Sequence, residues 1–311
     1  LKNIIITGSS GFIGSALVKW LNKDYSIIGI DRVGDEDTII PGYTFIKGDI
    51  NDPKTYDKLR DDLEIYAVVH LAARPGVRDS HKLFEEVCKD NILGTQRIID
   101  KCISSWKPKK LLIASSSSVY GDNGRDGHAL KENEIVNPKS PYALSKVADE
   151  QLLITYKNCG MLDGINTTSL RFFTVYGPNQ RNELAIRAFT DWMLNDEPIT
   201  LYGTGNQIRD FTHIDDICSG IQSLLKTDTI FKDIYNIGSG RAISINDMIY
   251  MIAQQLDKKV KINYQPRNKY DVDMTLCCND VLLADTGWEP KVKFEDGLKQ
   301  QIEWQKRSME E

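Results

Sequence analysis

Three glycines set the strongest constraint on this chain. Residues 2–7 form a short apolar run, Asn3-Ile4-Ile5-Ile6-Thr7, that reads as a buried strand. It is followed by Gly8-Ser9-Ser10-Gly11-Phe12-Ile13-Gly14, which opens an amphipathic helical pattern from about Phe12 to Asn22. A strand, a tight glycine turn and a helix make the first half of a βαβ unit. Glycines let the backbone approach a pyrophosphate, and the helix start offers unpaired N–H groups and the positive end of a dipole. The next apolar run, Ser26-Ile27-Ile28-Gly29-Ile30, ends at Asp31, seventeen residues past Gly14. A carboxylate there suits the two hydroxyls of an adenosine ribose and repels a 2′-phosphate, which favours NAD over NADP. Arg32 beside it is the one dissenting feature, since an arginine can accept that phosphate.

The alternation continues for about 175 residues. Phe45-Ile46 leads to Gly48-Asp49-Ile50, where Asp49 could meet an adenine amino group or simply cap a turn. Ala67 to Ala73 reads as a buried parallel strand whose small terminal residues leave room for a ligand, with His70 structural and Arg74 and Arg78 in the loop beyond. A long helical pattern spans about 82–105, crossing Asn91 and Gly94. Lys110 to Ala114 is the next strand. It ends in four consecutive serines, Ser115 to Ser118, where a doubly wound sheet places its ligand. Residues 122–137 have the composition of a mobile polar loop, and Thr167 to Phe173 read as a sixth strand.

Between these last two lies Ser140-Pro141-Tyr142-Ala143-Leu144-Ser145-Lys146, the head of a helix running to about Asn158. Tyr142 and Lys146 share one helical face at i and i+4. A neighbouring ammonium favours the phenolate, so the pair could take a proton from a hydroxyl. Alone, such a pair is common on surface helices.

Past residue 175 the alternation weakens, and a second domain is expected over 176–311. It should contain a helix (Leu184 to Leu194), a strand (Ile199 to Tyr202), a strand Ile234 to Gly238 that returns to the first sheet, a helix capped by Ser244, and a helical tail over 284–311. The expected fold is α/β: a doubly wound, Rossmann-type parallel sheet over 1–175, joined by a returning segment near 210–240, with a smaller mixed α/β domain. A net charge of −5 implies no strongly basic surface for nucleic acid. No apolar run approaches the ~18 residues that cross a bilayer. The first residues enter a strand directly, so no signal peptide is expected. Neither the six cysteines nor the four histidines show metal-ligand or disulfide spacing, which suits a cytoplasmic protein.

Taken together and in order, these motifs resemble the extended short-chain dehydrogenase/reductase family, specifically its nucleotide-sugar epimerases and dehydratases. They are Thr7-Gly8-x-x-Gly11-Phe12-Ile13-Gly14, Asp31, Gly48-Asp49-Ile50, His70-Leu71-Ala72-Ala73, Asn91, Ser116 to Gly121, Tyr142 to Lys146, Arg171 to Pro178, and Arg209-Asp210-Phe211. The resemblance implies an NAD site from Gly8, Gly11, Phe12, Ile13, Gly14, Asp31, Asp49, Ile50, Leu71, Ala72, Ala73 and Asn91, with Tyr142 and Lys146. It implies that Tyr142 takes the proton of a sugar 4-hydroxyl while Ser116 binds the same oxygen and the C4 hydride passes to the nicotinamide. Dehydratases of the family carry Asp-Glu where this chain has Ser117 and Ser118, and the UDP-xylose-forming decarboxylase carries Glu at the second place. Without either acid, the keto-sugar is expected to rotate and take hydride back on its other face, a 4-epimerisation.

Arg171 to Pro178, with Thr174, and Arg181 look most like UDP-glucuronate 4-epimerases, as does the run from His70 to Arg78. A hydroxyl and an arginine suit a C5 carboxylate. The substrate contacts so implied are Arg78, Ser117, Ser118, Thr174 and Arg181, with Arg209 and Arg267 at the diphosphate and Leu201 and Gln207 beside uracil and diphosphate. The chain departs from the subfamily at Arg181-Asn182-Glu183-Leu184 and at Pro266 to Val272. Epimerisation of a neutral UDP-sugar is the alternative. Members of the family often dimerise through the two helices at about 82–105 and 142–158, and the same homodimer is expected.

Overall fold

A computed structural model describes residues 1–35, 40–60, 62–268 and 270–310; Lys269, within the departing segment, and Glu311, the last residue of the tail, lie outside it. The strands are β1 (Asn3–Thr7), β2 (Ser26–Asp31), β3 (Tyr43–Lys47), β4 (Ile65–His70), β5 (Lys110–Ser116), β6 (Asn166–Phe172), β7 (Thr174–Tyr176), β8 (Ile199–Tyr202), β9 (Ile208–His213), β10 (Ile234–Ile237), β11 (Ala242–Ser244) and β12 (Ile262–Gln265). The helices are α1 (Phe12–Leu21), α2 (Phe84–Val87), α3 (Gly94–Lys101), α4 (Pro141–Asn158), α5 (Ala185–Leu194), α6 (Ile214–Lys226), α7 (Ile245–Leu256), α8 (Asp280–Thr286) and α9 (Phe294–Glu310). Wide π-type turns at Cys88–Leu93 and Cys102–Trp106 make α2 and α3 one continuous helical stretch.

Among the described residues, seven strands form a parallel sheet in the order β10-β6-β5-β4-β1-β2-β3. Parallel strands covered on both faces need apolar side chains pointing both ways. Ile4 to Ile6, Ala67 to Val69 and Leu111 to Ile113 are accordingly all fully enclosed. On one face α1 and α6 pack together through Leu17, Leu21, Ile217, Ile221 and Leu224. On the other, Ile98, Ile99 and Leu153 from α3 and α4 cover Ile5, Val68 and Leu111. The strand order reverses between β1 and β4, so the crevice beyond their carboxyl ends is where such a sheet binds a ligand.

The glycine turn is built for closeness. Gly8 has φ +70°, and a Cβ there would lie 2.7 Å from the Ala72 nitrogen. A Cβ at Gly14 would collide with the Gly8 carbonyl oxygen, so any side chain would push α1 off β1. At the other end of the sheet α4 starts as its sequence dictates. Ser140 Oγ accepts from the Ala143 N–H (3.1 Å) and Pro141 occupies the first turn. Arg171 of β6 then grips Glu150 of α4 through Nε and Nη2, both at 2.8 Å, with both side chains buried. Burial disfavours the Arg171 charge, and the paired carboxylate more than offsets it.

The chain leaves the large sheet after Phe172 and returns to it through α6 and β10, which pairs in parallel with β6. The rest makes a three-stranded sheet, β11-β9-β7, and the pair β12-β8, around a separate core of α5, α7 and α9. Of these, β7, β9, β11 and β12 have no clear sequence signal, because strands of three to six residues mixing both ladder senses show little alternation. Two expectations change. The tail is two helices, broken where Gly287 turns left-handed (φ +71°) and Pro290 follows. Residues 122–137 are tied down: Leu130 is fully buried, its N–H donates to Leu276 O (2.8 Å), and its carbonyl accepts from Cys278 N–H and Asn236 Nδ2.

Replacing Glu150 by alanine leaves the Arg171 guanidinium enclosed without its carboxylate. The expected loss is about 3–5 kcal/mol of unfolding free energy, read as a lower urea midpoint with an unchanged slope.

Candidate active site

A cavity of about 750 Å³ opens at the carboxyl ends of β1, β4 and β5. One end is walled by Gly8, Gly11, Phe12, Ile13, Gly14, Asp31, Asp49, Ile50, Leu71, Ala72 and Ala73. Gly11, the residue before α1, has no side-chain cap, so the first N–H groups of that helix are left for a ligand. Asp31 is aimed by backbone: its Oδ2 accepts from Ser10 N–H (3.0 Å) and its Oδ1 from Val33 N–H (3.1 Å). Asp49 does both things expected of it, lining the cavity while its Oδ1 accepts from Asn51 N–H (2.8 Å). A cradle that a Cβ would fill, a free helix start and a fixed carboxylate fit a dinucleotide with a free ribose diol.

Arg32 is committed elsewhere. Both of its terminal nitrogens donate to Asp90, at 3.3 and 3.2 Å, and Asp90 also receives Arg74 Nε and Nη2 at 2.9 Å. Asp90 is buried and lines the cavity, and no sequence signal marked it, since one acid within a long helical pattern reads as a solvated face. It explains why the dissenting arginine does not oppose Asp31: its charge is spent on a neighbouring carboxylate.

Tyr142, Lys146 and Ser116 meet in the middle of the same cavity. Lys146 Nζ donates to the Ala114 carbonyl (3.0 Å) and to Asp149 Oδ2 (3.1 Å). Ser116 closes β5, and its Oγ accepts from Ser118 N–H (3.2 Å), capping a turn of 3-10 helix over Ser117–Tyr120. The Ser118 hydroxyl is shielded from solvent and has no partner among the described residues. The far end holds Arg78, Ser117, Ser118, Thr174, Arg181 and Arg209, with Leu184, Tyr270 and Val272, which sequence reasoning did not single out. Arg181 Nη1 pairs with Glu183 (2.8 Å). Arg78 pairs with Asp271 (3.6 Å) and lies over the Tyr202 ring. Arg209 is deeply buried; that burial weakens its hold on the proton, partly countered by Asp271.

Four expected contacts are not in the cavity wall. Asn91 is fully enclosed, where its side chain accepts from Arg74 N–H (2.7 Å) and donates to Ser145 Oγ (2.8 Å), joining the loop after β4 to α4. Leu201 lies in the core of the smaller lobe. Gln207 is turned to the Tyr202 carbonyl (3.0 Å). Arg267 is held by Asp273 (2.6 Å) and the Asp271 carbonyl (2.9 Å).

A sequence model of the NAD dependent epimerase/dehydratase family matches residues 4–238. This chain belongs to that family. A UDP-glucuronate 4-epimerase of Thermodesulfobacterium geofontis (strain OPF15) is 33% identical over 320 residues, covering 98% of this chain and 97% of the relative. Among solved structures, MoeE5 in complex with UDP-glucuronic acid and NAD superposes with a TM-score of 0.90 at 34% identity, over 98% of this chain and 99% of MoeE5. The UDP-glucuronic acid 4-epimerase from Bacillus cereus, in complex with UDP-glucuronic acid and NAD, does so with a TM-score of 0.88 at 32% identity, over 98% and 99%. The family's doubly wound architecture is the one expected from the glycine turn.

Freeing Arg32 should relax the cofactor preference. In Asp90→Asn the affinity ratio of NAD to NADP, measured by titration calorimetry, is expected to fall at least about fivefold, the equivalent of one lost charge-assisted contact. Asp31→Asn should lower it further.

Proposed function

We propose that this chain is an NAD-dependent 4-epimerase of a UDP-sugar, interconverting UDP-glucuronate and UDP-galacturonate. The observation that carries the reading is that Thr174 and Arg181 wall the same cavity as Tyr142 and Ser116, without an acid at Ser117 or Ser118. The likeness over nearly the whole length to proteins of that activity supports it. In this reading residues 1–175, with the returning α6 and β10, hold NAD by the glycine turn and Asp31, and residues 176–311 supply most of the nucleotide-sugar contacts.

NAD, when bound, supplies the acceptor that takes a hydride from C4 and gives it back. The chain's own residues do the rest. Tyr142, as phenolate beside the Lys146 ammonium, takes the proton of the 4-hydroxyl and later returns one. Ser116 hydrogen-bonds the same oxygen. With no carboxylic acid nearby to expel a neighbouring group, the 4-keto sugar keeps its carbon skeleton while it turns over. Arg181 and Thr174 hold the C5 carboxylate, and a carboxylate kept out of line with the ketone π-system does not leave as CO2. Glu183, which now holds one arm of Arg181, is the group that the substrate carboxylate displaces. Arg78 and Arg209 face the diphosphate.

Among the described residues no helix is long and apolar enough to cross a membrane. The six cysteines are free thiols, which supports a place in the reducing cytoplasm. Phe84, Leu93 and Leu144 stand half-exposed on the helical stretch 84–106 and on α4, and we place a homodimer contact there.

Proton NMR of products from UDP-glucuronate, UDP-glucose and UDP-N-acetylglucosamine tests the reading. Only UDP-glucuronate is expected to give its 4-epimer, with no pentose and no net NADH; turnover of a neutral sugar alone would overturn the carboxylate site. Arg181→Ala should cut kcat/KM for UDP-glucuronate by about 10²-fold, the loss of a charge-assisted pair. Light scattering at micromolar concentration should give twice the chain mass, and Leu144→Glu should return it to one.

A further inference from the structure

The buried side of α4 carries a charge that the proposed reaction does not use. Asp149 is fully enclosed one turn after Lys146, and the two side chains are 0% and 4% exposed. An ammonium buried alone tends to give up its proton. Burial is the largest influence on Lys146 and acts in that direction, but Asp149, then Tyr142 and Glu150, outweigh it and raise its hold on the proton.

The groups facing this lysine come from three elements. On α4 they are Tyr142, Asp149 and Glu150, the last committed to Arg171 of β6. β5 contributes the Ala114 carbonyl. β4 contributes His70, which is neutral, since burial and then the Lys146 charge push it down to about 3. His70 is one link of a buried chain. Its Nε2 lies 3.1 Å from Thr95 Oγ1, whose hydroxyl faces Asp149, and its Nδ1 lies 2.7 Å from Thr7 Oγ1. Thr7 Oγ1 in turn accepts from the Ala72 N–H (3.2 Å) in the cavity wall. A neutral imidazole donates once and accepts once. With a carboxylate, which only accepts, at one end and an amide N–H at the other, all the bonds must run one way. Ala72 donates to Thr7, Thr7 to His70 Nδ1, His70 Nε2–H to Thr95, and Thr95 to Asp149.

We propose that Asp149 is a positioning residue: it keeps Lys146 an ammonium in the closed floor of the cavity and, through Thr95, His70 and Thr7, fixes the hydrogen-bond direction up to the Ala72 edge of the cofactor crevice. The proposal rests on the reading of Tyr142 and Lys146 as the reacting pair. In Asp149→Asn the carboxylate charge is gone but its shape remains. Lys146 then loses its proton at lower pH, so the alkaline limb of the kcat/KM profile moves to lower pH by roughly one unit. The phenol ionisation of the NAD-saturated protein, followed by ultraviolet difference absorbance against Tyr142→Phe, changes over the same interval. Asp149→Glu restores part of the shift. A purely structural aspartate would lower the rate equally at every pH, and an unmoved limb overturns the proposal.

Should the asparagine variant not fold, the wild-type protein decides through nitrogen NMR of labelled histidine. A pH-invariant His70 protonated at Nε2 is expected, and protonation at Nδ1 overturns the relay. Turnover retained in Tyr142→Phe would instead sink the underlying reading of the pair.

Discussion

The site depends on one buried ion pair. Glu150 and Arg171 meet fork to fork where α4 crosses the end of β6, and Ser115 adds a third hydrogen bond to the same carboxylate at 2.5 Å. The guanidinium also lies 4.6 Å from the centre of the Tyr120 ring. Such a pair adds little net stability over a well-packed apolar substitute, because both charges must be stripped of water. What it supplies here is angle. Glu150 stands four residues past Lys146 and eight past Tyr142, so locking it to β6 sets the rotation of α4 about its own axis. That rotation turns Tyr142 and Lys146 toward the serines that end β5.

A second enclosed carboxylate joins the two lobes. Asp210 of β9 accepts from Ser239 N–H and Oγ, Thr212 Oγ1, Gly240 N–H and Cys277 N–H, all at 2.7 to 3.0 Å. A β-strand of the smaller lobe is thereby fastened to the loop after β10 of the large sheet and to the segment after residue 276. Arg209, its neighbour, is held in the cavity wall as a result.

Local patterns carried the parts of the fold that local physics decides. The glycine turn, Asp31, the serines after β5 and the Tyr142–Lys146 pair sit next to the elements that position them, so their spacing already encodes their geometry. Asp90 and Asp149 were opaque because each takes its meaning from partners far along the chain: Arg32 and Arg74 for one, Thr95 and His70 for the other. Helix α4 also lacks a clean polar face, since Asp149 and Glu150 are both interior. Leu201, Gln207 and Arg267 were placed by likeness alone, and the short strands around them settle their direction only through pairing across the lobe.

The late return of β10 bears on how the chain comes to be folded at all. Until Ile234 to Ile237 emerge, β6 presents an open row of peptide groups beside a largely finished sheet. α6, which covers Leu17 and Leu21 of α1, is missing over the same interval. A nascent chain stalled near residue 175 would therefore expose both a strand edge and an apolar helix face, the two features that recruit unwanted neighbours. The split of the sequence into a cofactor half and a substrate half is thus functional and not a division into independently folding pieces: the first half waits on about sixty residues of the second before its sheet has an edge strand.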